Sequence, residues 1–370
     1  MSSFPPTQTA RQPLARPSRS RTQFLLLLEQ LGRRRLRALW QAAGHREPLT
    51  GERSQREALF AAVAAGTDLE LEALPWQALA DRLERSGIFT CIGADLPAAL
   101  RAIPDPPLAL YGRGAALHLA APALAVVGAR RASARALRWT QQTCRALAEA
   151  GLTIVSGMAF GVDAAAHEGA FPATLAVLGS GLQRPSPRAQ LGLFERLCGS
   201  GGCVVSEYPL TQEARKYSFP ERNRLITGLA CAVLVVEAGA RSGSLISARL
   251  ALEQGRDVLA VPGPVGLPGS VGCHRLIKQG AALVEHADDV LDALGWAPVP
   301  GSAARAESPD AAELRATERR VLAAVDGCVT SMEALVLATG LSARALSVAL
   351  TELELGGFVH RQGEGYIRAP

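Results

Sequence analysis

The spacing of apolar residues changes in three stages along the chain. Over residues 23–102 apolar side chains recur every three or four positions, as at Leu25 and Leu28, and glycines interrupt the pattern. We therefore predict a small all-α domain there, of the SAM or helix-hairpin-helix kind, with the arginines of 33–37 on a solvated face. Residues 1–22 are rich in arginine and proline and contain no acid, which predicts a disordered basic tail.

After the D-P-P segment at 105–107, short apolar runs alternate with helix-length stretches. This alternation is typical of a doubly wound, mainly parallel sheet, so we predict an α/β, Rossmann-like domain over 103–296. The expected strands are 124–127, 153–155, 174–178, 203–206, 232–237, 258–261 and 282–284. Ligands of such sheets bind outside the carboxyl ends of the strands.

The end of the chain is again helical. Residues 297–312 are rich in proline, alanine and serine and predict a linker. Over 313–370, three helical patterns precede a hairpin-like pair of apolar segments, which predicts a winged-helix domain. The expected recognition helix carries Arg344 against Glu352 and Glu354. A major-groove reader needs several cations and amides there, so we expect a protein-contact module.

Composition narrows the function classes. The chain has 39 basic and 34 acidic residues, a net charge of +5, which permits a polyanionic partner without requiring one. The seven cysteines include no C-x-x-C pair and the six histidines no H-E-x-x-H motif, so we expect no disulfide, metal or other cofactor. No apolar run approaches the ~20 residues that cross a bilayer, so we expect no membrane span.

The turns after the expected strands combine glycine, hydroxyl and arginine residues. Gly128, Arg130 and Arg131 follow the first strand, and Arg241 and Ser242 follow the fifth. At helix N-termini these groups suit an anion. They do not form the G-x-G-x-x-G motif, which disfavours NAD.

The segment 215–224 interleaves four cations with two aromatic residues. A groove for single-stranded nucleic acid needs cations for the phosphates and aromatic faces for the bases. Pro220 is expected to let a helix start at Glu221, which places Arg222 near its positive end. The alternative is that Tyr217 and Phe219 anchor the core and the cations are solvated.

Two pairs of titratable residues raise the question of acid–base catalysis. Asp163 and His167 lie four positions apart on an expected helix, and Glu207 and Glu237 end expected strands. No activated nucleophile is identifiable beside the first pair, so we expect a helix cap or a buried hydrogen bond. We expect no catalytic role for the two glutamates.

Eight segments, in this order, resemble the DNA processing protein A (DprA/Smf) family over residues 103–292. They are AVVGARRAS (125–133), SGMAFGVDAAAHEGA (156–170), AVLGSGL (176–182), SEYP (206–209), FPERNRLITGL (219–229), VVEAGARSGSLISA (235–248), AVPG (260–263) and GCHRLIKQGA (272–281). The resemblance implies a cytoplasmic, dimeric protein of natural transformation that binds single-stranded DNA and is not an enzyme. It further implies protection of incoming strands and loading of the RecA recombinase past single-strand-binding protein.

The resemblance also implies roles for individual residues. Arg130 and Lys216 would bind phosphate, Ser156 and Gly157 would offer hydroxyl and amide donors, Phe219 would stack a base, and Arg222 and Arg224 would line or brace the pocket. With the turn residues, the predicted single-stranded-DNA-binding set is Gly128, Arg130, Arg131, Ser156, Gly157, Lys216, Phe219, Arg222, Arg224, Arg241 and Ser242.

The chain departs from the family pattern at three places. Ala129 replaces a usual serine, Phe160 stands where arginine is common, and Gln183 and Ser186 interrupt the ending of the third-strand motif. The alternative from another class is an enzyme, a nucleoside-monophosphate phosphoribohydrolase. Residues 238–247 lack the glycine pair and trailing glutamate of its P-G-G-x-G-T-x-x-E signature. A scaffold that binds a partner through the winged helix is a third alternative.

Overall fold

The computed structural model describes residues 17–45, 52–296, 316–325, 330–355, 358–362 and 365–368. The chain divides into two compact units, Met1–Ser302 and Ala303–Pro370. The predicted linker at 297–312 and residues 1–16 of the predicted tail lie outside the described residues. Among the helices that the structure describes, none alone is long and apolar enough to cross a membrane, although the bent pair Met332–Thr339 and Ala343–Glu354 passes that test jointly.

A nine-stranded sheet forms the centre of the first unit. Its strands are β1 (Ile88–Ile92), β2 (Ala109–Gly114), β3 (Ala123–Gly128), β4 (Thr153–Ser156), β5 (Thr174–Val177), β6 (Cys203–Ser206), β7 (Ala232–Val236), β8 (Asp257–Ala260) and β9 (Ala282–Leu283). Their order across the sheet is β1-β2-β6-β5-β4-β3-β7-β8-β9. The strands from β3 to β9 are parallel, whereas β1 and β2 form an antiparallel border.

The helices of this unit pack on both faces of the sheet. They are α1 (Arg19–Ala42), α2 (Arg53–Gly66), α3 (Trp76–Arg85), α4 (Ala98–Arg101), α5 (Ala134–Glu149), α6 (Val162–Ala170), α7 (Leu191–Gly199), α8 (Ser218–Leu229), α9 (Ser244–Glu253), α10 (Val271–Lys278) and α11 (Ala287–Ala293). The core of one face includes α5, α6 and α11, and the core of the opposite face includes α4, α8, α9 and α10. Helices α1, α2, α3 and α7 pack over the β1, β2 and β6 side.

Strand β3 shows why both faces are covered. Leu124 and Val126 belong to the core formed with α5, whereas Ala125 and Val127 belong to the core formed with α8. Side chains alternate between the faces of a strand, so a strand buried on both sides has an uninterrupted apolar run. The sequence showed such runs, and all seven predicted strands are confirmed to within two residues at each end.

Two borders differ from the prediction. Strand β1 lies inside the range 23–102 that was predicted to be helical, and it pairs with β2 at the sheet edge. Helix α1 begins at Arg19 inside the predicted tail, because Ser18 caps it by accepting the Arg21 N–H at 3.4 Å. The Arg21 side chain also forms an ion pair with Asp95 and donates to Thr90 O at 3.2 Å.

The order of the strands creates a topological switch point. From β3 the chain moves outward through β4, β5 and β6, and it then returns to place β7 on the other side of β3. The crevice at the carboxyl ends of β3 and β7 is where ligands of open α/β sheets commonly bind.

The second unit has the predicted winged-helix elements. They are α12 (Ala316–Ala324), β10 (Thr330–Ser331), α13 (Met332–Thr339), α14 (Ala343–Leu355), β11 (Val359–Gln362) and β12 (Gly365–Arg368), with sheet order β10-β12-β11. Val321, Leu335, Leu350 and Val359 are buried in its core. Gly340 ends α13 with φ 61°, a left-handed conformation that glycine adopts without a Cβ clash.

Candidate nucleic-acid interface

The turns after β3, β4, β5 and β7 and the segment before α8 meet at the carboxyl edge of the parallel strands. Arg130 Cζ lies 5.2 Å from the centroid of the Phe219 ring, which joins the β3 turn to α8. A Cβ on Gly179, after β5, would lie 3.1 Å from that ring. Phe219 is therefore half-buried between two turns with an arginine over its face, an arrangement that permits a cation–π contact.

We call the cations and aromatic residues of this edge the carboxyl-edge surface: Arg130, Arg131, Phe160, Lys216, Tyr217, Phe219 and Arg241. Its four cations are exposed, and none makes an ion pair with the residues that the structure describes. Phe160 and Tyr217 are 48% and 49% exposed, which is unusual for aromatic side chains. The surface therefore offers free positive charge and aromatic faces side by side.

The β4 turn packs directly against the β3 turn. Gly161 has φ 77°, and a Cβ there would lie 2.2 Å from Ala129 O and 2.7 Å from Arg130 O. The residue before it, Phe160, is thereby placed beside the Arg130 backbone. The departure from the family pattern at position 160 thus lies within the carboxyl-edge surface.

Arg222 lies beneath this surface and not on it. Helix α8 begins at Ser218, three residues before the predicted start, so Arg222 falls in its second turn and is 3% exposed. Its Nη1 donates to the carbonyls of Gly157, at 2.8 Å, and Val177, which ties α8 to the ends of β4 and β5. Burial lowers the pKa of Arg222 to about 10. These contacts favour the bracing role over the lining role.

A carboxylate and an imidazole complete the buried layer. Asp163 Oδ2 accepts the N–H groups of Gly157 and Ala159 at 3.1 and 3.3 Å, and burial raises its pKa. His167 contacts Met158 N at 3.3 Å and Thr174 Oγ1 at 2.7 Å, and burial lowers the pKa of His167 to about 3. The expected buried hydrogen bonds of this pair are confirmed.

The same layer corrects two predicted donors. Ser156 is buried and its hydroxyl donates to Val126 O at 2.6 Å. The amide of Gly157 is committed to Asp163. Both groups satisfy partners inside the protein, so neither is free to bind a phosphate, and both shape the β4 turn from below.

Arg224 is likewise buried, in an ion-pair network that joins α8 to α1. It donates to both carboxylate oxygens of Glu207, and its Nε contacts Asp105 Oδ2 at 2.8 Å. Arg33 and Arg37 of α1 bind the same Asp105 carboxylate. Arg34 pairs with Glu221 of α8, so three of the α1 arginines predicted to be solvated pair with acids of the α/β part of the chain.

Glu207 and Glu237, both considered as catalytic residues, serve separate structural contacts. Glu237 lies at the switch point, where its carboxylate accepts the Ser133 N–H at 3.0 and 3.1 Å and the Ser133 hydroxyl at 2.6 Å. A Cβ on Gly128 would lie 2.0 Å from Val236 O, so a larger residue would not fit between β3 and β7 there. The Glu237 carboxylate therefore bridges the ends of β3 and β7 at the switch point.

The remaining turn residue, Ser242, also forms local contacts. Its Oγ lies 2.7 Å from Ser244 Oγ and accepts the Ser244 N–H at 3.3 Å, at the start of α9. Within the described ranges, no three His, Cys, Asp or Glu side chains cluster as a metal site requires.

Sequence reasoning missed Asp105 and underestimated Glu237. The D-P-P segment marked Asp105 only as part of a domain border, and the four-residue spacing of Arg33 and Arg37 indicated a shared helix face without naming its partner. Glu237 has φ 48° and Met158 has φ 54°. Residues other than glycine rarely adopt these backbone conformations, and no sequence motif predicts them here.

Comparison with known proteins agrees with this architecture. The family model described as DNA recombination-mediator protein A matches residues 88–295, and the model of the DprA winged helix domain matches residues 305–365. The chain belongs to the DprA/Smf family. Protein Smf of Escherichia coli K12 is 42% identical over 280 residues, which are 74% of each chain. DprA of Streptococcus pneumoniae R6 is 40% identical over 216 residues, 58% of this chain and 76% of that relative.

Solved DprA structures have the same fold. The S. pneumoniae DprA structure superposes with a TM-score of 0.57 at 32% identity and covers 75% of this chain and 98% of its own. DprA of Helicobacter pylori superposes with a TM-score of 0.51 at 32% identity and covers 54% of this chain and 92% of its own. The H. pylori structure is described as giving insight into a unique single-stranded DNA binding mode.

Proposed function

We propose that the chain binds single-stranded DNA at the carboxyl-edge surface. The observation that carries this proposal is that four exposed cations, which make no ion pair within the described part of the chain, lie in the turns of one sheet edge, with Arg130 over the Phe219 ring. The neighbouring acids Glu207 and Glu237 are bonded to Arg224 and Ser133. Cations bind the phosphates of any sequence, and an aromatic face stacks on any base, so binding is expected to be independent of sequence.

The predicted residues divide into two groups under this proposal. Arg130, Arg131, Lys216, Phe219 and Arg241 contact DNA, and Tyr217 and Phe160 add aromatic surface. The second group shapes the surface from below through internal hydrogen bonds and close packing, and it consists of Gly128, Ser156, Gly157, Arg222, Arg224 and Ser242.

Membership of the DprA/Smf family supports a proposal for the biological role. We propose a recombination mediator of natural transformation, acting in the cytoplasm, that protects incoming strands and loads RecA onto DNA covered by single-strand-binding protein. No catalysis is proposed, because Asp163 and His167 are buried in hydrogen bonds with the protein. Strand exchange with and without single-strand-binding protein tests the loading step. If the chain leaves that exchange unchanged, the mediator role is wrong.

We further propose that the chain is a homodimer. Leu283 on the outer strand β9 is 46% exposed, Val265 and Leu267 between β8 and α10 are 93% and 53% exposed, and a second copy of the chain would cover such apolar side chains. Sedimentation of the wild type and of Leu283→Glu measures this. A wild type that sediments as a monomer contradicts it.

The winged helix is proposed to contact a protein partner. Its helix α14 carries Arg344 against Glu352 and Glu354, and Leu337 of α13 and Val348 of α14 are 86% and 55% exposed. This surface is apolar and not basic, which suits a protein better than a DNA groove.

The decisive experiment compares labelled oligo-dT with a matched duplex over a salt series. We expect preference for the single strand and a slope of log affinity against log salt of about −2 to −3.5, for roughly three to five phosphates. Lys216→Glu should weaken binding. Its control is Lys278→Glu, the other lysine of the chain, which is exposed at the far end of α10 and thus at the opposite sheet edge.

The outcomes separate the alternatives. Equal loss in both lysine variants would indicate a non-specific charge effect. Unchanged binding in Lys216→Glu would move the site away from the carboxyl edge. No preference for the single strand, or binding that ignores salt, would contradict the proposed function.

A further inference from the structure

Glu237 bonds to both ends of the turn that carries Arg130 and Arg131. Its backbone carbonyl accepts the Ala129 N–H at 2.9 Å. Its carboxylate accepts the Ser133 N–H and the Ser133 hydroxyl, at 3.0 and 2.6 Å to Oε2. Glu237 therefore holds the first residue of the turn 129–133 through its backbone carbonyl and the last residue through its side chain.

The surroundings fix Glu237 in an unfavourable conformation. With φ 48°, the residue adopts a left-handed backbone that persists in non-glycine residues only where neighbouring contacts impose it. A Cβ on Gly269 would lie 3.2 Å from both Cγ and Oε1 of Glu237, so the segment before α10 backs the side chain closely. The carboxylate thus has little freedom to leave Ser133.

We propose that Glu237 is a positioning residue for DNA binding. It holds the turn 129–133 so that Arg130 stays over Phe219 and Arg131 faces the bound DNA strand. This inference rests on the proposed function. It gives a role to the carboxylate at the switch point, which is to present the two arginines at the end of β3.

Charge and positioning predict opposite signs for the same substitution. The negative charge of Glu237 lies beside the turn that carries Arg130 and Arg131. If the charge alone mattered, its removal should tighten the binding of the negatively charged DNA. Removing the hold on the turn should weaken binding, because a phosphate contact that is no longer pre-organised costs ordering entropy. The direction of the change therefore distinguishes the two roles.

The experiment uses the full chain with Glu237→Gln, Ser133→Ala and the control Glu253→Gln. Glu253 lies near the end of α9, half-exposed, and its replacement removes the same charge away from the turn. We expect Glu237→Gln to bind oligo-dT about tenfold more weakly, as the loss of a charge-assisted contact would produce. Its salt slope should shrink by about 0.7, one phosphate.

Ser133→Ala keeps every charge and removes the hydroxyl that bonds to Glu237 and also caps α5 by accepting the Ala136 N–H at 3.2 Å. Weaker oligo-dT binding by this variant at an unchanged unfolding temperature supports positioning even if Glu237→Gln does not fold. In an Arg130→Ala background, Glu237→Gln should have a smaller further effect, because only the contact of Arg131 is left to disturb. Equal or tighter binding by Glu237→Gln and Ser133→Ala would overturn the proposal.

Hydrogen exchange separates this inference from the proposed function. Without DNA, the amides of 129–133 should exchange faster in Glu237→Gln than in the wild type. Unchanged exchange overturns the role of Glu237 even where the wild type binds oligo-dT. Faster exchange in a protein whose wild type does not bind oligo-dT overturns the proposed function instead.

Discussion

Arg224 of α8 and Glu207, which follows β6, form a two-point ion pair with Nη–Oε distances of 2.9 and 2.6 Å. Their side chains are only 7% and 2% exposed. Because both charged groups are shielded from water, each must be compensated by the other, and Asp105 is the second partner of Arg224. The pair fixes α8, and with it Phe219, against the sheet.

Replacing Arg224 with alanine should destabilise the first unit strongly. The change leaves the Glu207 carboxylate buried without its two-point partner, and breaking such a pair costs about 3–5 kcal/mol. Urea unfolding of the full chain measures the effect. The matched control is Arg196→Ala, whose pair with Glu168 at 3.3 Å has side chains 46% and 49% exposed. That control should lose less than about 1 kcal/mol, and similar losses in both would contradict a buried pair.

Stability should fall in acid partly through Asp105. Partial burial alone would raise its pKa, but Arg224, Arg37 and Arg33 together lower the pKa of Asp105 well below its ordinary value of 3.8. A carboxylate with a lowered folded pKa stabilises the protein fully above its ordinary pKa and loses this effect as the pH falls toward the folded value.

Asp105→Asn should therefore be less stable than the wild type at pH 7, and the difference should narrow below about pH 4. Urea unfolding at neutral pH and at several acidic values measures it. A difference that stays constant across this range would mean that Asp105 acts through packing and not through its charge.

Gly157 should not tolerate a side chain. A Cβ at this position would lie 2.4 Å from Arg222 Nη1, and the guanidinium is buried and bonded to two carbonyls, so it has nowhere to move. Gly157→Ala should cost about 1–3 kcal/mol of unfolding free energy, as overpacking does. Gly192→Ala is the control, since nothing lies within 4 Å of its Cβ position in α7. It should be neutral or stabilising by up to about 1 kcal/mol.

Phe219→Ala should weaken binding of single-stranded DNA by about 1–3 kcal/mol, because one stacked base is lost. Phe219→Leu separates stacking from packing, since leucine still fills space against Gly179 but has no aromatic face. Fluorescence titration with oligo-dT and thermal unfolding measure the two effects. If leucine restores DNA affinity, the ring serves the core and not the bases.

Much of the fold could be predicted because its signals are local. The uninterrupted apolar runs of β3 to β8 reflect burial on both faces, and the turns between them mark the carboxyl edge. Strand β1 follows helix α3 inside a stretch with helical spacing, and its partner β2 comes only after the further helix α4, so no local pattern separated β1 from the helical region. Long-range pairing of this kind is decided by the assembled sheet.

The candidate site was predictable in residue type but not in accessibility. The segment 215–224 pointed to cations beside aromatics, yet a sequence does not show that Lys216 faces solvent while Arg222 and Arg224 are buried. The difference arises because Lys216 precedes α8, whereas Arg222 and Arg224 lie within the helix and bond to the ends of β4 and β5 and to Glu207, respectively. Likewise Ser156 resembles a surface donor until the neighbouring strand supplies Val126 O.

The network around Asp105 has a consequence for shortened forms of the protein. A chain trimmed to begin at β1 would keep Asp105, Glu207 and Arg224 but lose Arg33 and Arg37, two of the three guanidinium groups on the Asp105 carboxylate. It would also lose Glu29, whose carboxylate accepts the Leu210 N–H at 3.2 Å. Removal of the helical N-terminal region would thus break ion pairs and a hydrogen bond of the α/β part of the chain, and it would loosen the attachment of α8.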